Sequence, residues 1–406
     1  MAFSSSPSIV TNGLSFYYDM NNTQKSYKGK PITNQYPLPT PDGSGNVSFP
    51  TNGTGTFRRI YSGVFGGYEI KPTDVVYRYD LGGTGCHYHG GSAAIASGQY
   101  ATMTFDYYIS QDAANYPTLN LLANFENYGG TALSGSAGAP NTARGVWQTV
   151  TFSAGPSASG GTQAMFLYPG SCGGSYLASS GYILYKNPQV IFSSSANDVQ
   201  AFTSSARSNT QSLVDLARNT SITANSLTYN SNGTFSFNGT SDYLTLPSSV
   251  GAFGTGDFTI SCWWKSNGTQ ASYVAIMEQG FTGAPSNGAW AFKVSHSSGD
   301  FNFTYYNGGI VDNTSGNNPN DGIWHNLVAV RSGTSLVLYK DTTAVKSITL
   351  PVGYSFGEGS SVFVGYNPRD AAYLKGDLPV LQTYSRALTS TEIQKNFNTQ
   401  RARYGV

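Results

Sequence analysis

The chain has 406 residues, only 11% of them charged, and a formal net charge of +1. An average soluble protein carries about 25% charged residues; here 48 Gly and 29 Tyr take up part of that share. With no Lys/Arg run and no apolar run of about 18 residues, nucleic-acid binding and membrane insertion are not expected, and 14% aromatic content argues against disorder. Tyr and Thr favour pleated strands, while Gly and Asn supply positive-φ turn positions, so the expected class is all-β.

In chain order, "GLSFYYD" reads as a strand with Leu14, Phe16 and Tyr18 on one face and Ser15 and Tyr17 on the other. "MAFSSSPSIVTNG" before it lacks the basic start and apolar core of a secretory signal, so export by that route is not expected. "YKGKPITNQYPLPTPDGSGN" reads as an extended, proline-broken lead-in. "GCHYHGG" at 85–91 follows. On a strand His87 and His89 project to one face, where two imidazoles can share a metal; the other reading is a polar strand edge with hydrogen-bonded histidines. "YATMTFDYYIS", "GVWQTVTFSAG", "AMFLYPG" and "GYILYKNPQVIF" are further strands. Three cysteines, Cys86, Cys172 and Cys262, do not make a disulfide framework. Cys262 lies in an apolar strand as a small core residue. Cys86 and Cys172 either pair or, as expected of a cytosolically made protein, stay reduced.

The second half is patterned more clearly. "GTFSFNGTSDYLTLP" is two short strands about a turn at Asn238-Gly239. "DFTISCWWKS" alternates, with Phe258, Ile260, Cys262 and Trp264 on one face and Thr259, Ser261, Trp263 and Lys265 on the other. "YVAIMEQG", "AWAFKVSH", "FNFTYYNGG", "WHNLVAVRSG", "SLVLYKDTTAVKSITL" and "SVFVGYN" continue the strands, the fifth being a hairpin with Asp341-Thr342-Thr343 at its tip. In "LTSTEIQKNFNTQ", Thr389 and Glu392 form a capping box, and Ile393 and Phe397 share one face of the helix they open.

The segments "FSFNGTSDYLTLP", "FTISCWWK", "DGIWHNLVAVRSGTSLVLYKDTTAV", "SSVFVGYN" and above all "GDLPVLQTYSRALTSTEIQKNFNTQRARYG" resemble the laminin-G-like branch of the concanavalin A-like lectin/glucanase superfamily, as found in phage virion proteins. Pro379 departs from the pattern, because a strand residue that donates a hydrogen bond is expected there; an edge or a bulge would accommodate it. In this family a first strand like "GLSFYYD" runs within a dozen or so residues into a segment that here reads "SLVDLARNTS", at 212–221. The resemblance therefore implies a laminin-G-like β-sandwich split by an inserted domain: 1–29 and 204–406 form the sandwich, and 30–203 the insert. A tandem arrangement with residues 1–200 as a separate domain is the alternative. The order and spacing of strands in the insert resemble a galactose-binding or carbohydrate-binding jelly roll.

These resemblances imply a non-enzymatic phage virion protein: a decoration or fibre component of head, neck or tail, present in many copies or as a homo-oligomer. Its partners would be other virion proteins and host-surface polysaccharide. A purely structural decoration and a bacterial surface adhesin are the alternatives. A glycoside hydrolase needs two carboxyls about 5–9.5 Å apart, and the five Glu (69, 126, 278, 358, 392) are scattered in sequence. Calcium at a loop rim would draw on turn carboxylates such as Asp242 and Asp257, with Asp300, Asp312 and Asp321 as further turn residues. For sugar stacking, Trp263, Trp290, Tyr305 and Tyr306 are the expected platform; the same residues would also serve as a packing layer or as contacts to another subunit.

Overall fold

The structure is a computed structural model that describes residues 8–22, 25–29, 31–38, 46–47, 52–53, 57–80, 85–86, 89–113, 123–127, 133–137, 143–167, 180–204, 206–217, 220–229, 235–295, 300–357 and 359–406. The described residues are almost all strand and turn, with one α-helix, Ser390–Gln400. The chain divides into two compact units, Met1–Pro31 with Ser208–Val406, and Ile32–Arg207.

The first unit is a two-sheet sandwich. An eight-stranded antiparallel sheet runs 228–229, 235–238, 375–384, 258–266, 325–332, 335–340, 343–349, with 14–19 also paired to 375–384. A seven-stranded sheet runs 223–225, 243–246, 362–364, 275–279, 290–293, 302–306, 310–314. Their inner faces meet in one core: Phe258, Ile260, Cys262, Trp264, Leu327 and Leu381 from the larger sheet oppose Leu244, Leu246, Met277, Trp290, Phe292, Phe303, Val362 and Val364 from the smaller. Burying each such side chain is worth about 1.5–3 kcal/mol.

Strand Leu14–Asp19 is held by two segments distant in sequence. Asp19 is buried and takes a bidentate hydrogen bond from Arg403 at 2.7 and 2.8 Å, and the Tyr17 amide donates to Asp215 at 2.9 Å. Pro379 lies within a ten-residue strand that is paired on both sides. It is accommodated because the register with 258–266 shifts between Trp263 and Lys265, a bulge that asks no amide of it. The hairpin at 335–349 turns on Asp341 and Thr342 alone, both at positive φ, so Thr343 already pairs with Lys340.

The capping box is present: Thr389 Oγ1 accepts from the Glu392 amide at 3.3 Å, and Glu392 Oε2 accepts from the Thr389 amide at 3.0 Å. Arg386 grips the same carboxylate at 2.6 and 2.9 Å and, with the cap, holds its pKa down at about 2.

His325 clamps two loops together. Its Nδ1 lies 2.6 Å from Asp341 and its Nε2 3.0 Å from Asp321. Burial alone would lower its pKa, but the hydrogen bonds to Asp341 and Asp321 more than offset this, and the net shift is upward from 6.5. A raised histidine contributes stability that is complete below its unfolded pKa, near 6.5, and is lost as pH rises through the folded value. Asp321, shifted downward mainly by His325 against its own burial, adds stability above about pH 4 that is lost in acid. Urea unfolding from pH 4 to 9 should therefore show the wild type losing its advantage over His325→Gln above about pH 6.5. Parallel curves would remove the clamp from this account.

The second unit pairs a six-stranded sheet (147–154, 100–109, 182–193, 76–80, 57–60, 46–47) with a four-stranded one (89–95, 161–167, 123–127, 135–137). Met103, Phe105, Tyr107, Ile183 and Tyr185 of the former meet Ile95, Phe125, Met165 and Leu167 of the latter. On the outer side of the larger sheet, Phe65, Tyr108, Trp147 and Tyr182 form a small satellite core. There Lys186, paired with Asp106 at 3.0 Å, is pinched between the Tyr68 and Trp147 rings at 3.9 and 5.1 Å.

Candidate functional site

The two outer faces of the sandwich differ. That of the eight-stranded sheet is covered by the C-terminal segment. Trp263 stacks on Phe397 at 5.4 Å and on Tyr404 at 4.4 Å, and its Nε1 donates to Gln400 at 2.8 Å. Val328, Val330, Tyr384 and Leu388 pack with Ile393 of the helix.

Among the described residues no helix covers the outer face of the seven-stranded sheet. Leu244 and Leu246 point inward, so Tyr243 and Thr245 point out; Val362 and Val364 point inward, so Phe363 points out. Tyr366 and Tyr373 join them because residues 366–367 and 372–373 form a short antiparallel ladder. The four rings make one partly exposed patch. Tyr243 lies 5.1 Å from Tyr366, 5.9 Å from Phe363 and 6.3 Å from Tyr373, and Tyr366 stacks on Tyr373 at 4.4 Å.

Hydrogen-bonding groups border the patch. Asn225 Nδ2 donates to Thr245 Oγ1 at 3.1 Å. The strand register then carries a row across the face: Thr245, Phe363, Glu278, Ala291, Thr304, Asp312. Glu278 is fully buried and accepts from the Phe281 amide at 2.9 Å, and Thr304 donates to Asp312. Burial, and then the hydrogen bond with Tyr373, push the Tyr366 hydroxyl above its ordinary 10.0. It stays neutral at physiological pH, able to donate and accept. Burial pulls the Lys293 ammonium below 10.5, with Asp312 and Asp370 resisting.

The residues expected as a sugar platform are not assembled into one. Trp263 is buried beneath the C-terminal segment. Trp290 is buried in the core, 6.0 Å from Phe303, its Nε1 donating to the Gly251 carbonyl at 3.1 Å. Tyr305 is buried against Tyr354 and Phe356. Of the four, Tyr306 alone is on the outer face of the seven-stranded sheet, partly buried beside Phe281. The packing-layer alternative holds for Trp290 and Tyr305, whose alternation directs them inward.

His87 lies outside the described residues, and of His89 the backbone is described, in a strand paired with Gly161–Leu167. Cys172 is likewise outside them, Cys86 is placed in a two-residue strand, and Cys262 is a buried free thiol. Asp242 is fully buried and closes its own turn, accepting from the Asn238 amide at 3.1 Å and Ser241 Oγ at 3.2 Å; exposed Asp257 accepts from the Gly333 amide at 2.7 Å. Among the described residues no three His, Cys, Asp or Glu side chains converge as a metal site would require.

The outer patch was missed, although part of it was readable. In "DYLTLP" the apolar Leu244 and Leu246 fix the opposite face for Tyr243, and "SVFVGYN" does the same for Phe363.

Residues 238–394, which include this patch, match a laminin-G family model described as the concanavalin A-like lectin/glucanases superfamily. The fold class is accordingly all-β, with a concanavalin A-like match over these residues of the sandwich. A search of curated protein sequences gave no match. Among solved structures the chain is similar to domain 4 of AbnA, a GH43 extracellular arabinanase from Geobacillus stearothermophilus, in complex with arabinotriose. The two are 16% identical over 45% of this chain and 91% of that one, with a TM-score of 0.38. It is also similar to botulinum neurotoxin type C, whose cell entry depends on two ganglioside molecules (13% identity, 48% and 50% coverage, TM-score 0.36). A third likeness is to the binding domain of Paraclostridial Mosquitocidal Protein 1 (14%, 47% and 49%, 0.35). The chain spans about half the length of these two toxin structures. At such identities and scores these likenesses carry no functional weight.

Proposed function

We propose that this chain is a non-enzymatic phage virion protein, a head, neck or tail decoration or fibre component, that holds host-surface glycan on the outer face of its seven-stranded sheet. The observation that supports the glycan reading is the four-ring patch of Tyr243, Phe363, Tyr366 and Tyr373 inside the lectin-like segment. Partly exposed rings offer flat apolar surface to the C–H faces of sugars, and the tyrosine hydroxyls with Thr245 and Asn225 nearby supply donors and acceptors. A few convergent polar groups around an apolar floor are what a small-ligand site needs.

The resemblance of the C-terminal run to phage members of the family supports the virion part. Residues 32–207 would then add a carbohydrate-binding-like jelly roll, and the protein would be present in many copies beside other virion proteins. Glu278 and Asp312 share a row on the proposed face but stand three strands apart, about 14 Å, wider than a paired glycosidase mechanism uses.

The test is binding of the purified protein to a glycan array and to host cells, with and without calcium. Maltohexaose, xylohexaose and oligogalacturonate serve as soluble probes, and reducing-end release is measured in parallel. Glycan binding without release is the expected result. Firm binding to virion subunits with none to glycans would support a structural decoration instead, and release of reducing ends would make the chain an enzyme.

A further inference from the structure

Beyond the tyrosine patch, on the same face, lie two buried polar side chains. Lys293 and Asn302 sit opposite each other on adjacent strands, directed away from the core, because Phe292, Val294, Phe301 and Phe303 beside them face inward. Asn302 is fully enclosed, yet neither its Oδ1 nor its Nδ2 has a hydrogen-bond partner. Lys293 is 3% exposed, and its Nζ lies 5.5 Å from the Tyr273 ring centroid and 5.3 Å from that of Phe281. Enclosing an amide without partners is unfavourable, and such a group in a native structure is explained by strain, a buried water or a bound polar group.

The chemistry of such a bound group follows from the atoms to be satisfied. It has to donate to Asn302 Oδ1 and accept from Asn302 Nδ2, with Lys293 Nζ as a second donor. A carboxylate accepts from both nitrogens but offers Oδ1 nothing. Two neighbouring hydroxyls on a sugar ring do both, since each O–H donates and accepts. We propose that Lys293 and Asn302 form a subsite for the vicinal hydroxyl pair of a neutral sugar residue, farther along the glycan seated on the tyrosine patch. This rests on the reading of that face as glycan-binding. The strand of Lys293 is two strands from that of Phe363, a distance of about 10 Å.

Entry requires the aromatic cover to shift. Tyr273 is the strained part of it: its backbone sits at φ +64°, a region bulky residues rarely occupy, and Asn367 Nδ2 holds its carbonyl at 2.8 Å.

The decisive variant is Asn302→Leu, which removes both orphaned atoms and keeps the branched shape of the side chain. A merely structural amide predicts unchanged binding with equal or greater stability. The subsite predicts at least tenfold weaker binding of whichever of maltohexaose and xylohexaose the wild type holds, with the unfolding temperature unchanged or raised, and a similar loss in Lys293→Met. If Tyr243→Ala loses binding while Asn302→Leu retains it, the subsite is overturned and the reading of the face stands. If the wild type binds neither neutral probe, the subsite falls, and the reading of the face falls with it only if the glycan array and oligogalacturonate are negative as well. Tight binding of oligogalacturonate that Lys293→Met abolishes would replace the hydroxyl pair by a carboxylate and overturn the assignment. As a check without substitution, the ¹³Cε signal of Lys293 should move when the protein is saturated with the neutral probe; a stationary signal would also overturn it.

Discussion

Tyr243→Ala combined with Tyr366→Ala should weaken glycan binding by about 30-fold or more while leaving the fold intact. Tyr243 touches all three other rings of the patch, and Tyr366 stacks on Tyr373. Removing the pair takes away the centre of the platform and leaves its edges. Losses at adjoining aromatic anchors are not additive, and about 2 kcal/mol for the pair together, at about 1.4 kcal/mol per factor of ten, is about 30-fold. Both rings are partly exposed and outside the sandwich core, so the stability cost should stay near 1 kcal/mol. Isothermal titration beside urea unfolding separates the two quantities. A variant that binds as tightly as the wild type would move the site elsewhere.

Trp263→Ala should do the reverse, destabilising the protein by roughly 3–5 kcal/mol and leaving glycan specificity unaltered. The indole is wholly buried between Phe397 and Tyr404, and its Nε1–H answers Gln400. Truncation opens a cavity under the C-terminal segment and strands the Gln400 side chain. The helix should fray first, so loss of ellipticity and faster proteolysis after residue 386 would precede global unfolding. Selective loss of glycan binding in a variant of wild-type stability would contradict the placement of Trp263 beneath the helix.

These two outcomes also mark how far the sequence could be read. Its period-2 alternation sorted Phe258, Ile260, Cys262 and Trp264 from Thr259, Ser261 and Trp263 correctly, because one face of that strand fills the core. Alternation separates faces but does not tell what covers each. Trp263, on the polar side, is roofed by a helix some 130 residues later, and nothing local signals that contact. Trp290 shows the complementary limit: in "AWAFK" every residue is buried, since small Ala291 and enclosed Lys293 occupy the outer side.

The helix was legible in detail, because a capping box is local chemistry at fixed spacing. Pro379 was legible as an exception, and the bulge opposite Trp264 is its resolution. Tyr243 and Phe363 were half-legible, fixed outward by their leucine and valine neighbours. Tyr366 and Tyr373 were not, because the turn that brings them together includes Ala371 at positive φ and an Asn367–Asp370 hydrogen bond, which no propensity announces. The Lys293–Asn302 pair was invisible for a similar reason: it exists only in the register between two strands.

The measurement that tests the central claim most directly is hydrogen–deuterium exchange of the whole protein, with and without its strongest array ligand. Protection should rise over 243–246 and 362–373 and extend to 290–293 and 302–306, with 258–266 and 390–404 unchanged. Protection confined to 32–207, or to the helix-covered sheet, would contradict the assignment of the glycan to the outer face of the seven-stranded sheet.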